Sequence, residues 1–397
     1  MDYRNIPYVS VRECAVCGNP RTRVAVELPA FPVTEIFVRE KPGEGLGRVD
    51  QELLFCENCS HAQLKNRIDS AFLYGETANY TQRTSQSPSS SAASDFFEDF
   101  VNRRLGGVKR RCCLEVGAND LYLAKKLRPC VDAYIAVDPV LKNVTMDIPE
   151  GVRIIPGFVE DVEFRDMPDL VICKDVLEHI HDPASVLRSL LAVADPGADF
   201  FISISLLETL SITGRFDQLS HQHIHSFSLH SLQVLLQGLG CHLVDYSINY
   251  MHFEAVAVQF RKGVGKNIPV SRPDYGDLVQ SYAIYGQLMN SFRKRVRLLA
   301  KDTQVYGYGA NAMLPVLFYF MNLDRDSIQS ILDDTWDKNG LYYINCDQKI
   351  VHASLVDGIE SSCLILTAIQ AKTTARKMLT NDLSSTARHV LVPSAEW

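Results

Sequence analysis

The 397-residue sequence predicts an α/β protein in three parts: a small N-terminal domain tied by cysteines, a central Rossmann-like domain, and a second Rossmann-like unit at the C-terminus. Three observations carry this. Two C-x2-C pairs, Cys14/Cys17 and Cys56/Cys59, lie close to the N-terminus. From residue 111 short apolar runs alternate with helical ones, the signature of βαβ units around a parallel sheet. After a long amphipathic stretch the alternation resumes at Gln304, with Gly307-Tyr308-Gly309-Ala310-Asn311-Ala312 as its first turn. The boundaries read as 1–66, 67–268 and 269–397. A chain of this length exceeds what one core organises.

Four thiolates in two short knuckles can close a tetrahedral shell around one zinc ion, a structural site with no open position. Cys14, Cys17, Cys56 and Cys59 are the expected ligands. The alternative is a pair of redox dithiols, and His61 offers a substitute for Cys59. The gap between the knuckles is long enough to hold strands of its own.

Composition narrows the function classes. With 46% hydrophobic and 22% charged residues the chain is an ordinary globular protein. A net charge of -7 with no long basic run argues against a nucleic-acid partner. No apolar stretch reaches membrane-spanning length, and the N-terminus lacks a signal pattern. Seven of the eleven cysteines lie outside the knuckles, within apolar runs, so reduced thiols in a cytoplasm are expected. A monomer or weak homo-oligomer fits.

The segment from Tyr74 to Asp95, rich in serine, reads as a linker, with Ser94 or Asp95 capping a helix that starts at Phe96. Strands follow at 111–116, 133–137, 152–155, 170–173 and 199–205, with a late strand at 253–260. Helices are expected through Leu127, over 183–193, and over 276–299. In the last part, strands are expected at 328–333 and 363–367.

The residues that bind and react cluster at strand ends. Glu115-Val116-Gly117-Ala118-Asn119-Asp120 follows the first strand of the central domain, and Asp138 ends the second. A glycine turn lets backbone approach a nucleotide-like cofactor, and an acid one strand later binds ribose hydroxyls. Glu115 with the following G-x-N-D pattern favours S-adenosylmethionine over NAD. Asn119 or Asp120 would meet the methionine end, and Asp138 the ribose. Glu178 and His179 follow the fourth strand and are expected to line the cofactor cleft, or His179 to cap the next helix. Further on stand His221, Gln222, His223 and His225. Alternate histidines share a face if extended, but only Asp217 adjoins them, so a general base or a set of hydrogen-bonded buried imidazoles suits better than a metal.

Taken together these motifs resemble the zinc-containing C-methyltransferases of nucleotide-linked keto-deoxysugars, across essentially the whole chain. The resemblance rests on the cysteine knuckles, on Leu73-Tyr74-Gly75-Glu76 with Tyr80, on Glu115 to Asp120, and on Val176-Leu177-Glu178-His179. It continues through Ser220-His221-Gln222-His223 with Phe227-Ser228, Gly307 to Ala310, and Asp333 to Tyr342. Three positions depart: Leu121 stands where the family has a further glycine, Ser220 replaces a tyrosine, and Gln222 replaces a glutamate.

The resemblance implies S-adenosylmethionine as methyl donor, a structural zinc, and a nucleoside-diphosphate sugar as acceptor. A ring carbon beside a ketone becomes nucleophilic once a base removes its proton. The resemblance makes His223 that base, with His221, Tyr80 or Gln222 holding the keto oxygen. It makes the C-terminal unit a companion that helps hold the nucleotide-sugar, although its glycine turn and Asp333-Asp334 also suit NAD. The departures keep two other expectations open: a methyltransferase with an oxygen or nitrogen acceptor, and a weakened paralogue that only binds.

Overall fold

The computed structural model describes residues 3–74, 83–143, 147–162, 167–251, 255–266, 268–323, 327–369 and 372–393. Near the N-terminus, strands β1 (Arg23–Pro32), β2 (Arg48–Cys56) and β3 (His61–Leu64) form an antiparallel sheet. The short strand His225–Ser226, from far along the chain, completes its edge against β3. The length between the knuckles is therefore spent mainly on β1 and β2.

Helix α1 (Pro88–Leu105) begins earlier than the sequence suggests. Pro88 occupies its first turn and Ser87 accepts from the Ser90 N–H at 3.3 Å, so the cap is Ser87 and not Ser94 or Asp95. The serine run lowers helix propensity without breaking it, and Ala93, Phe97, Phe100, Val101 and Leu105 bury one face. Residues 75–82 of the expected linker, and with them Tyr80, lie outside the described residues.

The central sheet has seven strands: β4 (Arg110–Val116), β5 (Val131–Val137), β6 (Val152–Ile155), β7 (Leu170–Lys174), β8 (Asp199–Ser205), β9 (Cys241–Ile248) and β10 (Ala255–Lys262). Their spatial order is β9-β10-β8-β7-β4-β5-β6. The five from β6 to β8 are parallel, and β10 and β9 close the edge antiparallel. Arg110, Gln259 and Arg261 all bond the buried Asp199 at one end of β8. The expected strand start at 253–254 lies outside the described residues.

Helix α2 (Tyr275–Leu299) leads into β11 (Val305–Tyr308), β12 (Ile331–Asp333), β13 (Ile350–His352), β14 (Cys363–Leu366) and β15 (His389–Leu391), all parallel in the order β13-β12-β11-β14-β15. Leu278, Tyr285, Met289 and Val296 of α2 enter one hydrophobic core with Val26, Leu28, Phe31 and Phe55 of the first sheet and Tyr308, Leu364 and Leu366 of the last. The strand pair Phe37–Val38 and Tyr342–Tyr343 adds a backbone link between the same regions. The carboxyl ends of both parallel sheets open onto one cleft of about 1260 Å³.

Candidate active site

The turn after β4 is built from unusual backbone. Gly117, Asn119 and Leu121 have φ of +79°, +47° and +61°. A Cβ at Gly117 would sit 2.2 Å from Val176 Cγ2, so only glycine brings this turn against the loop after β7. Leu121 holds a left-handed conformation, which glycine would adopt at little cost. Here the leucine side chain is fully buried among Phe97, Ala118 and Ala124, which offsets the backbone cost.

Asp138, at the end of β5, fixes the turn. Its Oδ2 accepts from the Asn119 N–H at 2.8 Å and its Oδ1 from the Val140 N–H at 2.9 Å. Burial pushes this carboxyl up, against the pull of those two donors. Glu115 lies inside β4, buried, accepting from the Tyr134 hydroxyl at 2.8 Å, and burial raises it to about 8. Both carboxyls line the cleft with Gly117 and Asn119.

Asp120 does not join them. Its Oδ2 accepts from the Ser85 N–H at 2.8 Å, and the residue is absent from the cleft wall. The left-handed residues on either side of it turn the carboxyl toward the segment before α1. The expected contact of Asp120 with a methionine end is therefore corrected: this carboxyl is a strut for that segment.

After β7 the chain gathers the reactive groups. Asp175 has φ of +53°, strain of a kind that persists where surroundings over-determine it. Ser203 donates to its Oδ1 at 2.7 Å and Lys174 pairs with its Oδ2. Burial would raise Asp175, but the Lys174 charge and these donors win and hold it below the usual carboxylate range. Glu178 is buried, accepts from the Ser205 N–H at 3.2 Å, and is raised to about 8 by burial and the nearby Asp175 charge. Its Oε2 has no hydrogen-bond partner among the described residues. A buried carboxyl with an unpartnered oxygen beside the cleft fits a cationic ligand group, such as the amino end of S-adenosylmethionine, whose charge would favour the ionised form.

His179 Nδ1 donates to the Gln222 carbonyl at 2.9 Å, and the Tyr74 hydroxyl stands 3.2 Å from the same nitrogen. It is not a helix cap: the helix Pro183–Val193 is capped by Asp182, which accepts from the Ser185 N–H at 2.9 Å. Burial lowers His179 to about 3, so it is neutral at working pH. The His223 ring centroid lies 5.0 Å from that of His179, and His223 lines the cleft. Burial lowers the His223 pKa, opposed by the Gln218 backbone and by the Asp175 charge. Gln222 also faces the cleft, its Oε1 accepting from the Thr34 hydroxyl at 2.6 Å.

The three alternate histidines do not share a face, because residues 221–224 form a turn and not a strand. His221 is fully buried on the opposite side, with Gln51 Nε2 3.3 Å from Nδ1 and the Phe31 carbonyl 3.0 Å from Nε2. Both ring nitrogens are engaged and the ring does not reach the cleft, which corrects its expected role at the keto oxygen. His225 points elsewhere again, to His61 Nε2 at 3.1 Å and the Ile180 carbonyl at 3.0 Å. His61 is not among the converging ligand atoms, which are the four cysteine sulfurs, so it does not substitute for Cys59. Sequence reasoning passed over Thr34 and Arg39, contributed to the cleft by the N-terminal region, and gave Asp175 no role although its place after the fourth strand marks it.

The four knuckle cysteines converge as expected. Their sulfurs all lie within 4.8 Å of one another, with Cys14–Cys59 and Cys17–Cys56 each at 3.6 Å. Four thiolates around one zinc stand about 3.8 Å apart, given bonds of about 2.3 Å. Arg67 is buried nearby with Nε and Nη2 unpartnered among the described residues, and burial lowers its pKa against the charges of Asp182 and, less, Cys14. A guanidinium here would offset part of the net negative charge of a tetrathiolate centre.

A methyltransferase domain model matches residues 90–246. The C-methyltransferase NovU of Streptomyces niveus is 24% identical over 353 residues, covering 83% of each chain. The ubiquinone biosynthesis O-methyltransferase of Pseudoalteromonas translucida (strain TAC 125) is 27% identical over 113 residues, 26% of this chain and 48% of that one. Among solved structures, N-methyltransferase NodS of Bradyrhizobium japonicum WM9 with S-adenosylhomocysteine aligns with 44% of this chain and 88% of its own, at 12% identity and a TM-score of 0.34. The chain is an enzyme, an S-adenosylmethionine-dependent methyltransferase with a Rossmann-like α/β fold and a four-cysteine cluster near its N-terminus.

Proposed function

We propose that this enzyme methylates a ring carbon of a keto-deoxysugar carried on a nucleoside diphosphate. The observation that carries the reading is His223: an imidazole on the cleft wall beside His179, which burial favours in the neutral form that can take a proton. S-adenosylmethionine supplies the electrophilic methyl group.

In this reading Gly117 and Asn119 receive the cofactor along the turn, Asp138 meets its ribose, and Glu115, Glu178 and His179 complete the pocket. His223 removes the proton beside the ketone, and the Asp175 carboxylate stabilises the imidazolium that results. The Gln222 carboxamide, anchored by Thr34, is the donor to the enolate oxygen in place of His221; Tyr80 keeps that candidate role from sequence alone. The cleft exceeds the volume usual for one small ligand, so donor and acceptor fit side by side. The cysteine cluster holds a structural zinc. The three-part division at about residues 66 and 268 stands as a proposal, with the C-terminal unit helping to hold the nucleotide-sugar.

The test is incubation with methyl-labelled S-adenosylmethionine and a panel of nucleoside-diphosphate keto-sugars. Label on a sugar carbon is expected. Label on oxygen or nitrogen would replace this reading with a heteroatom acceptor, and binding without transfer would leave a binding protein.

A further inference from the structure

The two parallel sheets are built on one plan. Their first three strands, β4-β5-β6 and β11-β12-β13, lie in the same order beside each other. The turn glycine after the first strand donates to the residue before the acid, Gly117 to the Val137 carbonyl and Gly309 to the Leu332 carbonyl, each at 2.8 Å. The acid then ties both loops. Asp138 accepts from Asn119 and Val140; Asp333 accepts from the Ala310 N–H at 2.6 Å and the Thr335 N–H at 2.9 Å. The second unit thus repeats the nucleoside-binding constellation of the first, on the other wall of the same cleft.

What differs is the base position. In an open α/β sheet it lies beyond the acid, between the loops after the second and third strands. In the first unit Val140 and Phe158 stand there. In the second the counterparts are Trp336, after β12, and His352, which ends β13. Their rings stack at 3.8 Å with an interplanar angle of 11°. His352 is fixed by Ser354 Oγ at 2.7 Å and the Asp334 carbonyl at 3.2 Å, so the pair is held in place. Trp336 nonetheless stays 59% exposed at the margin of the cleft, outside its lining, beside Thr335, Asp337 and Lys338, which form part of the wall. A large indole fixed face-on to a partner and open on its other face is a stacking platform.

We infer that the outer face of Trp336 stacks the planar base of the acceptor's nucleotide, with the ribose toward Asp333. This rests on the proposed nucleotide-linked acceptor and adds the residue that reads its base.

The chain has two tryptophans, Trp336 and Trp397, so in a W397F background Trp336 emission reports the site alone. Thymidine and uridine diphosphate would be titrated with the cofactor site filled by S-adenosylhomocysteine. Saturable quenching is expected, and in equilibrium dialysis W336A should bind the nucleotide roughly tenfold more weakly, W336F less so, with S-adenosylhomocysteine affinity unchanged. Equal binding by W336A with no quenching would overturn the inference and leave the acceptor class standing. No binding of either diphosphate by dialysis would overturn both.

Discussion

Replacing Gly117 by alanine tests the geometry of the cofactor turn directly. At φ of +79° an L-residue costs about 1–2 kcal/mol. The new Cβ would also lie 2.2 Å from Val176 Cγ2, so side chain or loop must retreat by more than an ångström. Overpacking of that kind costs about 1–3 kcal/mol. The sum, roughly 2–5 kcal/mol, is a large share of a typical folding free energy. In G117A/V176A the closest remaining approach is Val176 Cβ at 3.6 Å, an ordinary contact, so the overlap disappears and only the backbone cost persists. Thermal unfolding and S-adenosylhomocysteine calorimetry on wild type, both single variants and the double would give the coupling. The double should be less damaged than the two single losses predict, by about 1–3 kcal/mol, and should regain cofactor affinity. Costs that simply add, or a G117A protein with wild-type stability and binding, would show that the turn does not need its close approach to Val176.

H223N should lower methyl transfer by at least about a hundredfold while S-adenosylhomocysteine still binds in a dialysis assay; retained turnover would remove the proposed base. Metal analysis should find one zinc per chain, absent in a Cys56→Ser/Cys59→Ser protein that unfolds at markedly lower temperature, since a structural site supplies folding energy outright. Stability should fall below about pH 4.5 and above about pH 6.5, because between these limits the two sets of groups offset one another. His179 and His221, lowered to about 3 and 4 by burial, stay neutral in the fold while the unfolded chain takes up protons, so stability present above about pH 6.5 is lost on acidification. Glu115 and Glu178, raised to about 8, stay protonated in the fold while the unfolded chain ionises, so stability declines between about pH 4.5 and 8. Each group contributes up to about 1.4 kcal/mol per pH unit, and E178Q should flatten the alkaline limb of a melting-temperature profile.

Much of the architecture was legible because it is encoded locally. Apolar runs ending at glycine or aspartate mark the strands, and the helix Pro183–Val193 and strand β8 (Asp199–Ser205) fall on the residues expected. The knuckles, the Gly117 turn and Asp138 follow from residue type and spacing. The start of α1 was missed because serine reads as linker by composition, whereas Ser87 and Pro88 act by position. The partners of the first sheet were also out of reach, since His225–Ser226 joins β3 from more than a hundred and fifty residues away.

Residue type and spacing alone determined that this chain carries a cysteine cluster, two glycine turns each with an acid one strand on, and a histidine-rich loop. Tertiary structure alone decided which imidazole meets the cleft. His221 and His223 are two residues apart, yet one is locked to Gln51 and the Phe31 carbonyl while the other faces His179. The same packing turns Asp120 to Ser85 and leaves Glu178 with a bare oxygen. Backbone patterns follow from short-range sterics and hydrogen bonding, which a sequence states. The direction of a side chain depends on neighbours that only long-range packing brings near.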